Sequence, residues 1–264
     1  MIMDLALAGR RALVMGASKG LGRSIADSLA REGVALVVSG REQARLDAVA
    51  GELRALGAPA ATGIPADVAS GEDMDRLAQG ALAALGGVDI LVLNHGGPPP
   101  GTALDLTEAL LETWFRRIVL SPIRLANHLL PGMRERRFGR IMTVGSTGMQ
   151  APIPNLALSN VLRAAMVGWN KTLANELAGE GITCNILAPG AFATDRTRET
   201  AAAQAAKTGQ TIEQIVAERS KTIPAGRYGQ PDEYGPMAAF LASPHAAYLT
   251  GCIVRIDGGA VRSL

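Results

Sequence analysis

Apolar positions in this chain fall into two rhythms. Short runs rich in Val, Ile, Leu and Ala recur at Ala12-Leu13-Val14-Met15, Ala35-Leu36-Val37-Val38, Asp89-Ile90-Leu91-Val92-Leu93, Ile141-Met142-Thr143-Val144, Ile182 to Leu187 and Cys252-Ile253-Val254-Arg255-Ile256. Runs this short, without polar alternation, read as strands covered on both faces. Between them, Gly22 to Glu32, Arg41 to Leu56 and Asp73 to Leu85 carry apolar residues at helical spacing and end near Gly33, Gly57 and Gly86, where a left-handed cap is easy. A weaker run at Ala60 to Ile64 completes the series. Strand alternating with helix predicts an α/β fold: one doubly wound parallel sheet of about seven strands, right-handed crossovers and helices on both faces.

Longer helical stretches follow around Leu110 to Arg137 and Ser159 to Leu177. The Pro98-Pro99-Pro100-Gly101 run after one strand can neither extend a ladder nor start a helix, so a stiff loop at the carboxyl edge of the sheet is expected, near any ligand. Thr194 to Pro224, rich in Ala, Thr and charge, reads as one or two short helices outside the sheet, either a substrate lid or a plain helical excursion. There is no repeat, linker or low-complexity tract, and residues 1–264 are expected to form a single domain.

Composition narrows the class. Hydrophobic residues make up 48% of the 264 and aromatics only 3%, so the interior must be close-packed Ala, Val, Leu and Ile. The formal charge of +2 comes from 26 basic and 24 acidic residues without a dense basic block, which argues against nucleic-acid or lipid surfaces. Cys184 and Cys252 lie far apart in apolar runs, fitting buried reduced thiols better than a disulfide or a metal site. The opening Met1-Ile2-Met3-Asp4 looks like a mature soluble start, no window approaches the roughly 20 apolar residues of a membrane span, and a cytoplasmic location is expected.

Directly after the first run comes Gly16-Ala17-Ser18-Lys19-Gly20-Leu21-Gly22, with a helix expected to begin inside it. Glycines there let the backbone approach a pyrophosphate, whose charge meets free amides and the positive end of the helix dipole. A spaced glycine triplet alone is weak; placed between a predicted strand and a predicted helix it is strong. The plain alternative is a structural glycine turn. After the second run, where an acid would hold a ribose 2′-hydroxyl, stands Ser39-Gly40-Arg41. Arg41 with Lys19 can bond a 2′-phosphate, and Ser39 can add a neutral donor, which favours NADP(H); Arg41 as a solvated first-turn residue is the competing reading. Asp67-Val68 falls where the adenine edge would be, though an Asp ahead of a helix is also a common N-cap.

These residues, with Asn94-His95-Gly96, Gly139-Arg140-Ile141, Ser146, Lys171 to Glu176, Asn185 through Pro189-Gly190, Thr194, Pro224 to Arg227, Tyr248 to Gly251 and Asp257-Gly258-Gly259, give a sequence that resembles the short-chain dehydrogenase/reductase family over nearly its whole length. The likeness is to the branch of 3-oxoacyl-carrier-protein reductases. The resemblance implies a Rossmann fold, with Asn94 and Gly96 beside the cofactor ribose, the main chain at Pro189-Gly190 facing the nicotinamide, and Thr194 bonding its amide. It also implies a dimer or tetramer built through the two long helices and the last strand. Independently of the family, all these positions fall at carboxyl ends of predicted strands, where open α/β sheets bind ligands.

The catalytic pattern departs from the family. Such enzymes carry a Ser that polarises the substrate oxygen and a Tyr and Lys at i and i+4 on a helix. The Ser is present as Ser146, but Ser159 stands at the Tyr position, Arg163 at the Lys position, and Ile118 where an Asn is usual. No tyrosine precedes Tyr228, so no shift of register restores the phenol. Arg163 can bond ribose hydroxyls but titrates too high for a proton relay. His95, after Asn94, can give or take a proton near pH 6.5, or is simply packed beside the loop. His128, His245, Arg116, Arg117 and Arg124 are expected to be structural or surface residues, an anionic pocket being the minor alternative for the arginines.

Two functions of different class follow. One is an NADP(H)-dependent oxidoreductase of a small carbonyl or hydroxyl compound, with Ser146 orienting the oxygen and Ser159, His95 or water moving the proton. The other is a non-catalytic NADP(H)-binding protein using the cofactor as a sensory or structural ligand. A non-redox lyase or isomerase is a third possibility that no residue singles out.

Overall fold

The computed structural model describes residues 4–262; Met1 to Met3, read above as part of a mature start, lie outside them. The chain runs β1 (Arg11–Val14), α1 (Gly20–Arg31), β2 (Ala35–Gly40), α2 (Gln43–Ala55), β3 (Ala61–Pro65), α3 (Gly71–Leu85), β4 (Ile90–Leu93), α4 (Glu108–Phe115), α5 (Ser121–Glu135), β5 (Gly139–Val144), α6 (Ala157–Leu177), β6 (Ile182–Pro189), α7 (Asp195–Thr208), α8 (Ile212–Ser220), α9 (Gly235–Ala242) and β7 (Ile253–Ile256). The seven strands form one sheet in the order β3-β2-β1-β4-β5-β6-β7, every neighbouring pair parallel. The weak Ala60 to Ile64 run is the edge strand β3.

Alternate residues of each strand feed opposite layers. Val14, Val38, Val92 and Leu187 pack against Ile25 and Leu29 of α1, Leu46 and Leu53 of α2, and Tyr234 and Leu241. Leu13, Val37, Leu91, Ile141 and Cys184 pack against Met74 and Leu77 of α3, Leu125 and Leu129 of α5, and Ala174 of α6. Each such side chain contributes roughly 1.5–3 kcal/mol by leaving water, which is why apolar runs without alternation become central strands. At the amino edge, buried Asp89 is clamped by Arg11 at 2.8 Å and Arg136 at 3.0 Å, and both guanidiniums favour its ionised form. The two thiols are free: Cys184 is buried and its pKa is pushed up to about 12 by that burial, while Cys252 is only half-buried, because the strand after it lies at the sheet edge.

β1 and β4 are neighbours, and the chain leaves them toward opposite halves of the sheet, so a crevice opens at their carboxyl ends. Gly16 to Gly22, Asn94 to Gly101, Ser146 and Pro189 to Thr194 all follow strands at this edge. The segment after Thr194 forms α7 and α8, which pack on each other outside the sheet. Among the described residues no helix is long and apolar enough to cross a membrane.

Candidate active site

The glycine turn is built by close approach. Gly16 and Gly20 have φ of +57° and +61°, a region that side chains disfavour, and α1 starts at Gly20 with Lys19 as an N-cap that offers no side-chain acceptor. The first amides of α1 are therefore left for an anion. Asn94, just past β4, donates from Nδ2 to the carbonyls of Met15 at 3.2 Å and Gly16 at 3.1 Å, tying β4 to the turn. Gly22 is locked beneath this tie, since a Cβ there would lie 2.9 Å from the Gly16 carbonyl carbon and closer still to its oxygen and to Asn94 Nδ2.

At the far end of the crevice, the Ser39 carbonyl accepts the Ala17 amide at 3.0 Å, and the buried Ser39 is followed by exposed Arg41. Arg45, one helical turn beyond Arg41, reaches back and donates to the Ser18 carbonyl at 3.2 Å. Sequence reading missed Arg45, although its i+4 spacing from Arg41 was the available signal. Lys19 lies instead toward α7, 3.1 Å from Asp195 and 3.7 Å from Glu199. Asp67 accepts the Ala69 amide at 2.9 Å in its own turn and faces Arg117 at 3.6 Å, while Ser70, not Asp67, caps α3; the Val68 carbonyl accepts the Ser121 hydroxyl at 2.6 Å.

On the other side of β4, Gly96 is exposed with open space around it, and the Gly190 amide donates to the Ile256 carbonyl at 2.9 Å, holding the Pro189-Gly190 turn against the end of β7. Thr194 caps α7 in a reciprocal box with Thr197, and its methyl lies 3.7 Å from where a Gly20 Cβ would be. The proline loop is pinned where Gly101 pairs with the start of α6: its amide donates to the Asn155 carbonyl at 2.9 Å and its carbonyl accepts the Ala157 amide at 3.1 Å.

The structure brings Ser146, Ser159, Arg163 and His95 to this edge with unequal chemistry. Ser146 follows β5, and its Oγ accepts the Gly148 amide at 3.1 Å, so the hydroxyl proton stays available to a substrate oxygen. Ser159 and Arg163, i and i+4 on α6, share one face and are both buried. Arg163 donates from Nη1 to the Val144 carbonyl at 2.7 Å, while its Nε has no protein partner. Burial lowers its pKa to about 10, which still leaves the guanidinium charged at neutral pH. That charge acts on His95, whose pKa falls to about 4, burial first and Arg163 second. Its Nδ1 sits 2.9 Å from the Gly96 carbonyl, a contact that takes the ring proton on Nδ1 and leaves Nε2 as an acceptor. Ile118 is fully buried within a π-helical turn, Arg116–Leu120, joining α4 to α5. Asn160, also missed in the sequence, holds the Ile153 carbonyl at 3.0 Å and amide at 3.3 Å, ordering the loop between Ser146 and α6. His128 pairs with Asp75 at 2.7 Å and His245 with the Asp4 carbonyl at 2.8 Å, both away from this edge.

A doubly wound sheet with a glycine turn between β1 and α1, and a serine and an i, i+4 helical pair across the crevice, defines a dinucleotide-binding protein of the oxidoreductase kind. Residues 16–261 match the family described as Enoyl-(Acyl carrier protein) reductase. The chain is 33% identical over 255 residues to the 3-oxoacyl-[acyl-carrier-protein] reductase of Vibrio cholerae, covering 96% of this chain and 98% of that one. It is 34% identical over 258 residues to human dehydrogenase/reductase SDR family member 4, covering 96% of this chain and 88% of that one. Among solved structures, L-sorbose reductase from Gluconobacter frateurii, complexed with NADPH and L-sorbose, superposes with a TM-score of 0.95 at 30% identity, covering 99% of this chain and 100% of that one. The chain belongs to the short-chain dehydrogenase/reductase family.

Proposed function

We propose that this chain is an NADP(H)-dependent oxidoreductase of a small carbonyl or alcohol compound, working with an atypical catalytic site. The knot of Gly16, Gly22 and Asn94 carries the reading: it excludes side chains from the turn and leaves the α1 amides open, as a diphosphate requires. Gly16, Ser18, Gly20, Leu21 and Gly22 would line the diphosphate, with Lys19, held by Asp195 and Glu199, bordering that turn, Arg41 and Arg45 at the 2′-phosphate and Asp67 and Val68 at the adenine edge. Asn94, Gly96 and Arg163 would line the nicotinamide ribose, and Pro189, Gly190 and Thr194 the amide. NADPH in the L-sorbose reductase complex supports the choice of phosphate form.

When bound, the cofactor supplies or accepts the hydride. Ser146 donates its free hydroxyl proton to the substrate oxygen and orients it. Arg163, buried and charged at the same edge, favours negative charge building on that oxygen. His95, held neutral, can accept a proton at Nε2; at pH 7 a group of pKa about 4 carries its extra proton in only ~1 molecule in 1,000, so it is a poor acid for carbonyl reduction. Ser159 and water are the remaining proton carriers. The chain is proposed to act as one domain with residues 194–224 as a lid, in the cytoplasm, as a dimer or tetramer through α5, α6 and β7.

The buried Arg163 and the neutral His95 also favour a second reading, a non-catalytic NADP(H)-binding protein, because Ser159 stands at the phenol position and His95 carries no proton to give at Nε2. Stopped assays of NADPH oxidation with ketones, aldehydes and acyl thioesters separate the two. Turnover that falls at least tenfold in Ser146→Ala supports the enzyme; tight NADPH binding without turnover of any substrate supports the sensor.

A further inference from the structure

We propose that Arg196 recognises a carboxylate on the substrate, so that the oxidoreductase inferred above acts on oxo acids or hydroxy acids. Arg196 stands in the first turn of α7, and its Nη2 donates to the Pro98 carbonyl at 2.9 Å, closing α7 over the loop that also carries His95 and Gly96. The same Nη2 is 3.9 Å from where a Gly97 Cβ would be, so the guanidinium lies along the 96–98 backbone at the mouth of the crevice.

Two observations make this a binding group and not only a clasp. First, the clasp uses one of five N–H donors, and its acceptor is a neutral carbonyl. Among the described residues Arg196 makes no ion pair. The acids beside it in the chain, Asp195 and Glu199, are turned to Lys19 on the glycine turn. Second, the wall it lies on is rigid: three prolines in succession, then Gly101 fixed to Asn155 and Ala157 by backbone bonds. A planar fork on a rigid wall is the arrangement that reads a carboxylate in two places at once.

The test compares pyruvate, acetoacetate and levulinate, each against its own methyl ester, as substrates with NADPH, in the wild type and in Arg196→Met and Arg196→Lys. The expected result is an acid-over-ester preference in kcat/KM that Arg196→Met lowers roughly 10- to 100-fold and Arg196→Lys partly restores. An acid-over-ester ratio equal in the wild type and Arg196→Met overturns the proposal and leaves the oxidoreductase reading standing, with Arg196 as a mechanical clasp. Calorimetric titration of the NADP-loaded protein with the same acids separates the other failure. Carboxylate binding lost in Arg196→Met supports the proposal even where none of the acids or esters turns over, an outcome that counts against the oxidoreductase reading alone.

Discussion

Gly22→Ala should cost both fold and cofactor, and the size of each loss follows from the local geometry. The added methyl would sit 2.9 Å from the Gly16 carbonyl carbon, and nearer to its oxygen and to Asn94 Nδ2. Ordinary contact needs about 3.5–4.0 Å, so α1 and the turn must separate by about 1 Å. The turn cannot yield freely, because Asn94 binds it at 3.1 and 3.2 Å and the Ala17 amide is fixed to Ser39 at 3.0 Å. Overpacking of this kind costs about 1–3 kcal/mol, which for a chain of this size lowers Tm by roughly 2–10 °C. Moving the α1 amides also weakens at least one charge-assisted bond to a diphosphate, raising the NADPH Kd roughly 10- to 100-fold. Urea denaturation and NADPH fluorescence titration measure the two. Gly168→Ala is the control: it lies exposed in α6 with nothing within 4 Å of an added Cβ, and should gain about 0.5–1 kcal/mol of stability from helix propensity. A Gly22→Ala protein that keeps both its urea midpoint and its NADPH affinity would refute the diphosphate cradle.

Arg41→Ala combined with Arg45→Ala should weaken NADPH binding at least tenfold more than NADH binding, and equal losses in a titration of both cofactors would remove the 2′-phosphate from this end of the crevice. Ser159→Tyr with Arg163→Lys puts a phenol and a lysine at i and i+4, and should raise carbonyl reduction by ~10²–10⁴ if the missing acid limits the rate; unchanged turnover would mean that another step does. His95 has a folded pKa depressed below its unfolded value, so the unfolded chain takes up the extra proton first and stability falls as pH drops from about 6.5 toward 4. His95→Asn should flatten that part of a urea-midpoint profile, and an unaltered slope would place the imidazole in solvent. Tyr234→Phe removes the hydroxyl donated to the Leu187 carbonyl at 3.1 Å, which keeps the Gly145 amide at 2.7 Å, and should cost about 0.5–1.5 kcal/mol in the same denaturation assay.

What the sequence made legible and what it hid divide along a physical line. The strands, their parallel pairing and the glycine turn depend on local period and on where glycines fall, so they were legible, whereas the order of strands in the sheet, which makes β1 and β4 neighbours, is set by long-range packing. Helix starts were less exact. α2 opens at Gln43 and not Arg41, and α3 at Gly71 behind Ser70 rather than at Asp73, because caps are settled by single hydrogen bonds. Side-chain chemistry across the crevice was legible as identity but not as state. Ser159 and Arg163 could be placed by register, yet the orphaned Nε and the depressed imidazole of His95 arise only when α6 is laid against β5 and the loop after β4. Lys19 shows the same limit: beside the glycines it looked committed to a phosphate, but the fold brings Asp195 and Glu199 within reach of it. This pairing joins the glycine turn to the first turn of α7. Both partners are largely exposed, so the pair contributes about 0–1 kcal/mol: it turns Lys19 toward α7, while the Thr194–Thr197 box is what fixes the start of that helix.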